Sequence, residues 1–209
     1  MADLKALSEA VIKGDQNKAL EITNAAISEG MAPAQILNDG LIAGMNIIGV
    51  RFKNNEVYIP EVLIAARAMK TAMGVLEPKL IEAGVQPLAK AAIGTVQGDL
   101  HDIGKNLVVM MLKGAGFDVI DLGVDVSPQK FVDKIKEIKP KIIGMSALLT
   151  TTMPSMEKTI QAIKAAGLNV KTMIGGAPVT QAYADRIGAN GYSPDAASAV
   201  DLAKSLIGK

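Results

Sequence analysis

Histidine occurs once in the chain, at position 101, and cysteine does not occur at all. These counts bound the chemistry before any fold is considered. Thiolate zinc sites, iron–sulfur clusters, disulfides, thiol nucleophiles and any centre needing two imidazoles are excluded. A metal held through imidazole nitrogen must be held by His101. The surrounding stretch reads Gly98-Asp99-Leu100-His101-Asp102-Ile103-Gly104-Lys105-Asn106. Asp99 precedes His101 by two residues, and a carboxylate beside a histidine is the usual device for fixing its tautomer and raising ring basicity. Asp99 or Asp102 could equally cap the helix that follows, and both roles can hold at once.

Two further segments carry side chains of interest. Ser146-Ala147-Leu148-Leu149-Thr150-Thr151-Thr152 is rich in hydroxyls, and Gly175-Gly176-Ala177-Pro178 pairs two glycines. Each has an ordinary explanation: Thr152 can cap a helix opened by Pro154, and paired glycines make turns. Taken with Asp99 and His101, they describe one pocket: a nitrogen ligand, a hydroxyl near its carboxylate partner, and a wall without side chains where something bulky approaches. Phosphate binding is not supported. Gly98 and Gly104 do not supply the three glycines of a dinucleotide loop, and Gly104-Lys105 is followed by Asn106 where a Walker loop needs Ser or Thr. A phosphorelay receiver is also disfavoured, because the third strand ends in Met145-Ser146 where a phosphorylatable aspartate is wanted.

The elements that must position these residues fall into two groups. Residues 1–84 read as helices only. Leu4, Leu7, Val11 and Ile12 follow helical spacing, and Gly14-Asp15 supplies a stop and a fresh N-cap. A second helix spans about 17–28. Pro33 opens a third, carrying Ile36, Leu37, Leu41, Met45 and Ile48, and Pro60 opens a fourth, since proline at the first helical position sacrifices no hydrogen bond. Pro78 is expected to kink or end that last helix. Short connections suggest a four-helix antiparallel bundle.

From about residue 89 the pattern becomes β-rich runs (92–96, 118–122, 141–145, 170–174 and 189–192) alternating with helices near 103–114, 128–138, 154–166, 179–187 and 195–207. Such alternation predicts a five-stranded parallel sheet of flavodoxin-like (Rossmann-like) order, with the ligand site at the carboxyl ends of the strands. The domains are therefore expected at 1–84 and 85–209, joined by a linker at 82–90 where Gly84 and Pro87 interrupt both patterns.

Composition narrows the class of partner. Lys and Arg number 22 against 21 Asp and Glu, and aromatics are 3% of the chain. Nucleic acid is thus an unexpected partner, since its binding surfaces need clustered cations and usually stacking rings. No apolar run approaches the roughly 20 residues of a membrane span, and 1–5 lack the features of a secretory signal. The expectation is a soluble, cytoplasmic protein.

The three-part pattern of Asp99-Leu100-His101-Asp102-Ile103-Gly104, Ser146-Ala147-Leu148 and Gly175-Gly176 resembles the D-x-H-x-x-G, S-x-L, G-G signature of the cobalamin-binding domain. The helical region resembles the cap domain of methionine synthase and of the small corrinoid proteins of methyltransferase systems, and the likeness covers essentially the whole chain. It implies that cobalamin binds base-off/His-on, with His101 as lower cobalt ligand, Asp99 on its other nitrogen and Ser146 supporting Asp99. It implies too that Gly175 and Gly176 leave room for the displaced nucleotide tail. Gly98, Asp102, Gly104, Leu148, Thr150 and Ala177 line the neighbourhood, and the 192–196 segment adds a contact at Ala196. Phe52 and Ile59, either side of the 53–58 loop, match residues covering the upper face, although both also fit ordinary bundle core.

The function so implied is that of a methyl carrier cycling between Co(I) and methyl-Co(III). A substrate-specific methyltransferase would activate the donor, a second methyltransferase would serve tetrahydrofolate or a thiol, and a reductive activase would rescue oxidised cobalt. Movement about 82–90 would let partners reach the metal. Two alternatives share the His101 motif: the cobalamin subunit of a carbon-skeleton mutase, and a cobalamin-dependent sensor.

Overall fold

The computed structural model describes residues 2–209. The described residues form two compact units, one of residues 2–87 with 114–116 and the other of 88–113 with 117–209.

The first unit is helical. Helix α1 (Leu4–Lys13) opens on Asp3, whose carboxylate accepts the Lys5 and Ala6 amides at 2.9 and 3.1 Å, and closes on Gly14. Asp15 then caps α2 (Gln16–Ser28) by accepting the Lys18 amide at 2.9 Å. The stop and restart expected at Gly14-Asp15 are thus both present. The third predicted helix is not continuous. A short α3 (Pro33–Gln35) passes into a π-helical stretch (Ile36–Ile42) before α4 (Ala43–Lys53). This segment lies against α1: a Cβ on Gly40 would stand 2.6 Å from Leu7 Cδ2, and one on Gly44 would stand 2.8 Å from the Ser8 carbonyl oxygen. Two glycines four residues apart permit that approach, and the wider turn spans the same contact.

Helix α5 (Ile59–Glu82) does not end at Pro78, one of the two outcomes expected there, but runs on for four further residues. Proline inside a helix costs a hydrogen bond and sets its ring against the carbonyl four residues earlier. Here that residue is Gly74, whose backbone is freer to adjust than that of other residues. Leu7, Val11, Ala19, Ala26, Ile36, Leu41, Ile48, Val62 and Leu76 are buried in this unit.

The second unit is a parallel sheet of β1 (Lys90–Thr95), β2 (Asp118–Asp121), β3 (Ile142–Ser146), β4 (Lys171–Gly175) and β5 (Gly191–Tyr192), in the order β2-β1-β3-β4-β5. Between them lie α6 (Ile103–Gly114), α7 (Pro128–Ile138), α8 (Pro154–Ala165) and α9 (Gln181–Ile187), and α10 (Ala196–Leu206) follows. This is the expected flavodoxin-like order. Strands buried on both faces read as near-continuous apolar runs, as Ile142, Ile143 and Met145 do. Phe131, Ile143, Met156, Ile160 and Ile174 belong to the core of this unit. The register pairs Thr95 with Ser146 and Ser146 with Gly175, so the loops leaving β1, β3 and β4 begin side by side. The order reverses between β1 and β3, and open α/β sheets bind ligands at that crevice. Among the described residues no helix is long and apolar enough to cross a membrane.

Candidate functional site

His101 lies in the loop between β1 and α6, its side chain 51% exposed, whereas Asp99 beside it is fully buried. Asp99 gathers donors on both carboxylate oxygens. Oδ1 accepts the His101 amide at 3.0 Å and faces His101 Nδ1 at 2.7 Å. Oδ2 accepts the amides of Leu148 at 2.8 Å and Leu149 at 3.3 Å, and the hydroxyl of Thr152 at 2.7 Å. Burial alone would raise this carboxyl, but the Thr152 hydroxyl, the His101 and Leu148 amides and the His101 ring together hold it well below the ordinary carboxylate range.

The tautomer of His101 follows. An ionised carboxylate can only accept hydrogen bonds, so Nδ1 carries a hydrogen, and in the neutral ring the lone pair is on Nε2. Among the described residues Nε2 has no hydrogen-bond partner. The loop is held from the other side as well, since Thr95 donates its hydroxyl to the His101 carbonyl at 2.9 Å.

The hydroxyl supporting Asp99 therefore belongs to Thr152 and not to Ser146, where the likeness had placed it. Ser146 ends β3, its carbonyl accepting the Val96 amide. The chain then turns so that the Leu148 and Leu149 amides point at Asp99, and the turn at 149–152 brings Thr152 back over the same oxygen. Thr152 does not cap α8; its hydroxyl also meets the Leu149 carbonyl at 2.9 Å.

The other expected residues are distributed as follows. Gly98, Asp102 and Gly104 are exposed in or beside the His101 loop, and Asp102 accepts the Asn106 side chain at 3.0 Å. Leu148 and Thr150 are exposed in the loop after β3, and Ala177 in that after β4. Gly175 and Gly176 form a wall closely apposed to backbone: Gly176 has φ +128°, and a Cβ there would stand 1.9 Å from the Ala147 carbonyl oxygen. Ala196, by contrast, the first residue of α10, is 5% exposed, leaving Pro194 as the exposed member of that segment. Phe52, near the end of α4, is partly buried, and Ile59, which opens α5, is exposed; both belong to the helical unit.

Lys105 was not expected. Its side chain is 2% exposed and its ammonium reaches both oxygens of Asp121, at 2.6 and 2.5 Å, and Asn106 Oδ1 at 2.6 Å. Asp121 in turn accepts the Gly123 amide at 2.9 Å. Against the burial that would raise it, Lys105 and that amide hold the Asp121 carboxyl below its ordinary value. The sequence did carry a signal: Lys105 lies on the stripe of buried Val109 and Leu112. The ion pair engages this lysine with Asp121.

The fit to a cobalt corrinoid rests on two of these features. One imidazole offers a single free nitrogen, and among the described residues no group of three or more His, Cys, Asp or Glu is gathered to cage a metal. A metal held through that nitrogen would have one protein ligand and would need its others from elsewhere, as a corrin supplies them. The glycines leave the carboxyl end of β4 free of side chains, on the same edge of the sheet as the loop that carries His101.

Comparison with known proteins bears on the same residues. A family model described as the B12 binding domain matches residues 89–201, and a second of that description matches 3–77. The chain belongs to the B12-binding corrinoid proteins. It is 44% identical to dimethylamine corrinoid protein 3 of Methanosarcina acetivorans over 213 residues, covering 99% of this chain and 100% of that one. It is 43% identical to trimethylamine corrinoid protein 2 of the same organism over 203 residues, 95% of this chain and 94% of the other. Among solved structures, a chain of the methanol:cobalamin methyltransferase complex MtaBC from Methanosarcina barkeri superposes with a TM-score of 0.87 at 27% identity, covering 99% of this corrinoid protein and 80% of that chain. The cofactor of this corrinoid protein is accordingly cobalamin, and the protein is related to those of methyltransferase systems.

Proposed function

We propose that this protein carries a methyl group from a substrate-specific methyltransferase to a second methyltransferase, with His101 as the lower ligand of the cobalt. The observation that carries the reading is the one-sided bonding of His101: Nδ1 is committed to a buried, ionised Asp99 at 2.7 Å and Nε2 is left free. When bound, cobalamin supplies a cobalt that accepts a methyl group from one donor and yields it to another. The protein's own part is positional and electrostatic. Asp99 fixes the ring so that Nε2 presents its lone pair, and Thr152 with the Leu148 and Leu149 amides keeps Asp99 an acceptor. Burial keeps water from competing for those bonds.

Gly175 and Gly176, with Gly98, Asp102, Gly104, Ser146, Leu148, Thr150 and Ala177 around them, would hold the nucleotide tail displaced by His101. The relatives named for dimethylamine and trimethylamine favour an N-methylated amine as donor. The acceptor enzyme would serve a thiol or tetrahydrofolate, and a reductive activase would restore cobalt lost to oxidation. The MtaBC complex is a precedent for docking of such a protein on a methyltransferase.

The test is reconstitution. Holoprotein is reduced and mixed with methyltransferases for mono-, di- and trimethylamine and for methanol, each with its isotopically labelled donor, an acceptor enzyme, and a thiol or tetrahydrofolate. The reading expects label on the acceptor only when this protein is present, with one of the methylamines as donor. No label on either acceptor from any donor would contradict it.

A further inference from the structure

Three non-glycine residues among those described have positive φ: Asn55, Asp125 and Lys139. Lys139 caps the end of α7, and Asn55 follows the last turn of α4. Left-handed residues are common at helix ends. Asp125, at φ +50°, ends no helix; it lies in the stretch between β2 and α7. Backbone held in a costly conformation away from a cap points to a local task.

Its contacts indicate which task. Asp125 Oδ1 accepts the Gly98 amide at 2.7 Å, and the Asp125 amide donates to the Asp99 carbonyl at 3.0 Å. These reciprocal bonds grip the two residues where the chain leaves β1 and turns toward His101. The left-handed φ directs the Asp125 amide at Asp99 while its side chain reaches back to Gly98. Neighbouring bonds anchor Asp125 itself: the Val126 amide donates to the Thr95 carbonyl at 2.9 Å, and the Thr95 amide to the Gly123 carbonyl at 3.0 Å.

We infer that Asp125 is a positioning residue that holds the backbone of Gly98 and Asp99 so that the Asp99 carboxylate meets His101 Nδ1. It bonds to the backbone of Gly98 and Asp99 rather than to the ring, and acts on His101 through Asp99. Its consequence for cobalt ligation rests on the function proposed above, whereas its effect on the ring does not.

A single histidine gives one set of imidazole resonances, so its tautomer can be read by nitrogen NMR in the apoprotein. Wild type is expected to be predominantly the Nδ1–H form, the reverse of a free imidazole in water. Asp125→Asn keeps an acceptor oxygen and tolerates positive φ, and should match wild type. Asp125→Gly keeps the backbone freedom but loses the oxygen, and Asp125→Ala loses both. In each of these two the ratio of Nδ1–H to Nε2–H should fall about tenfold, the factor controlled by one hydrogen bond of ordinary net strength. A folded Asp125→Gly protein with the wild-type ratio would overturn the inference, and this variant decides the matter should Asp125→Ala fail to fold. The same proteins loaded with hydroxocobalamin separate the two claims. A wild-type holoprotein lacking a protein nitrogen on cobalt defeats the functional reading, whereas the apoprotein ratio alone decides the role of Asp125.

Discussion

At the scale of residues, a buried carboxylate holds one imidazole in a single tautomer. Thr152 supplies the one side-chain hydroxyl donated to Asp99, so Thr152→Val should cost about 2 kcal/mol, the range for a hydrogen bond to a charged group. Thr152→Ser should recover most of it, as read by urea unfolding of the apoprotein. Gly176→Ala combines a φ that L side chains rarely adopt with a backbone atom in the way. It should cost about 3 kcal/mol and abolish cobalamin uptake, as read by urea unfolding and by equilibrium dialysis against hydroxocobalamin. Asp99 and His101 were legible in the sequence because histidine occurs only once and a carboxylate lies two residues before it. The hydroxyl was misplaced on Ser146, because which hydroxyl reaches Asp99 depends on a turn at 149–152 that no periodicity announces. Asp125 was invisible for a similar reason: its role comes from a backbone conformation.

At the scale of elements, the crevice exists because β1 and β3 are neighbours while their connections leave in opposite senses, which brings the Asp99 and Thr152 loops together. The alternation of β-rich runs and helical spacing was enough to predict five strands and their order, since β1, β3 and β4 are mostly buried and the strands are flanked by turn residues. The helical unit was less legible. Apolar spacing could not distinguish an α-helix from one with a π-helical stretch, nor decide between a kink and an end at Pro78, because a helix can carry an internal proline at a cost that its packing offsets. The close approach of α4 to α1 makes its own prediction. Gly44→Ala would press a methyl on the Ser8 carbonyl oxygen and on Val11, and should destabilise the protein by about 2 kcal/mol. Gly74→Ala, with nothing beyond its own helix within 4 Å, should not destabilise by comparable overpacking. Thermal unfolding of the two variants side by side checks the contrast.

At the scale of the whole molecule, the protein is near-balanced in charge and contains no cysteine. Its acid stability should report on the site. Because the Asp99 carboxyl is depressed in the fold, its stabilisation is fully present above the ordinary value of 3.8 and is lost as pH falls below it. The fall in unfolding free energy between about pH 5 and pH 3 should therefore be smaller in Asp99→Asn than in wild type. Urea titrations at each pH read this directly, and equal falls would mean that Asp99 is not held ionised.

The claim that His101 ligates the cobalt is tested most directly by electron paramagnetic resonance of the cobalt(II) holoprotein, made once from ordinary protein and once from protein grown on heavy nitrogen. Ligation by His101 predicts a nitrogen splitting that changes with the label and disappears in His101→Ala. A pattern identical in labelled and unlabelled protein, or a label-dependent splitting that survives His101→Ala, would contradict it.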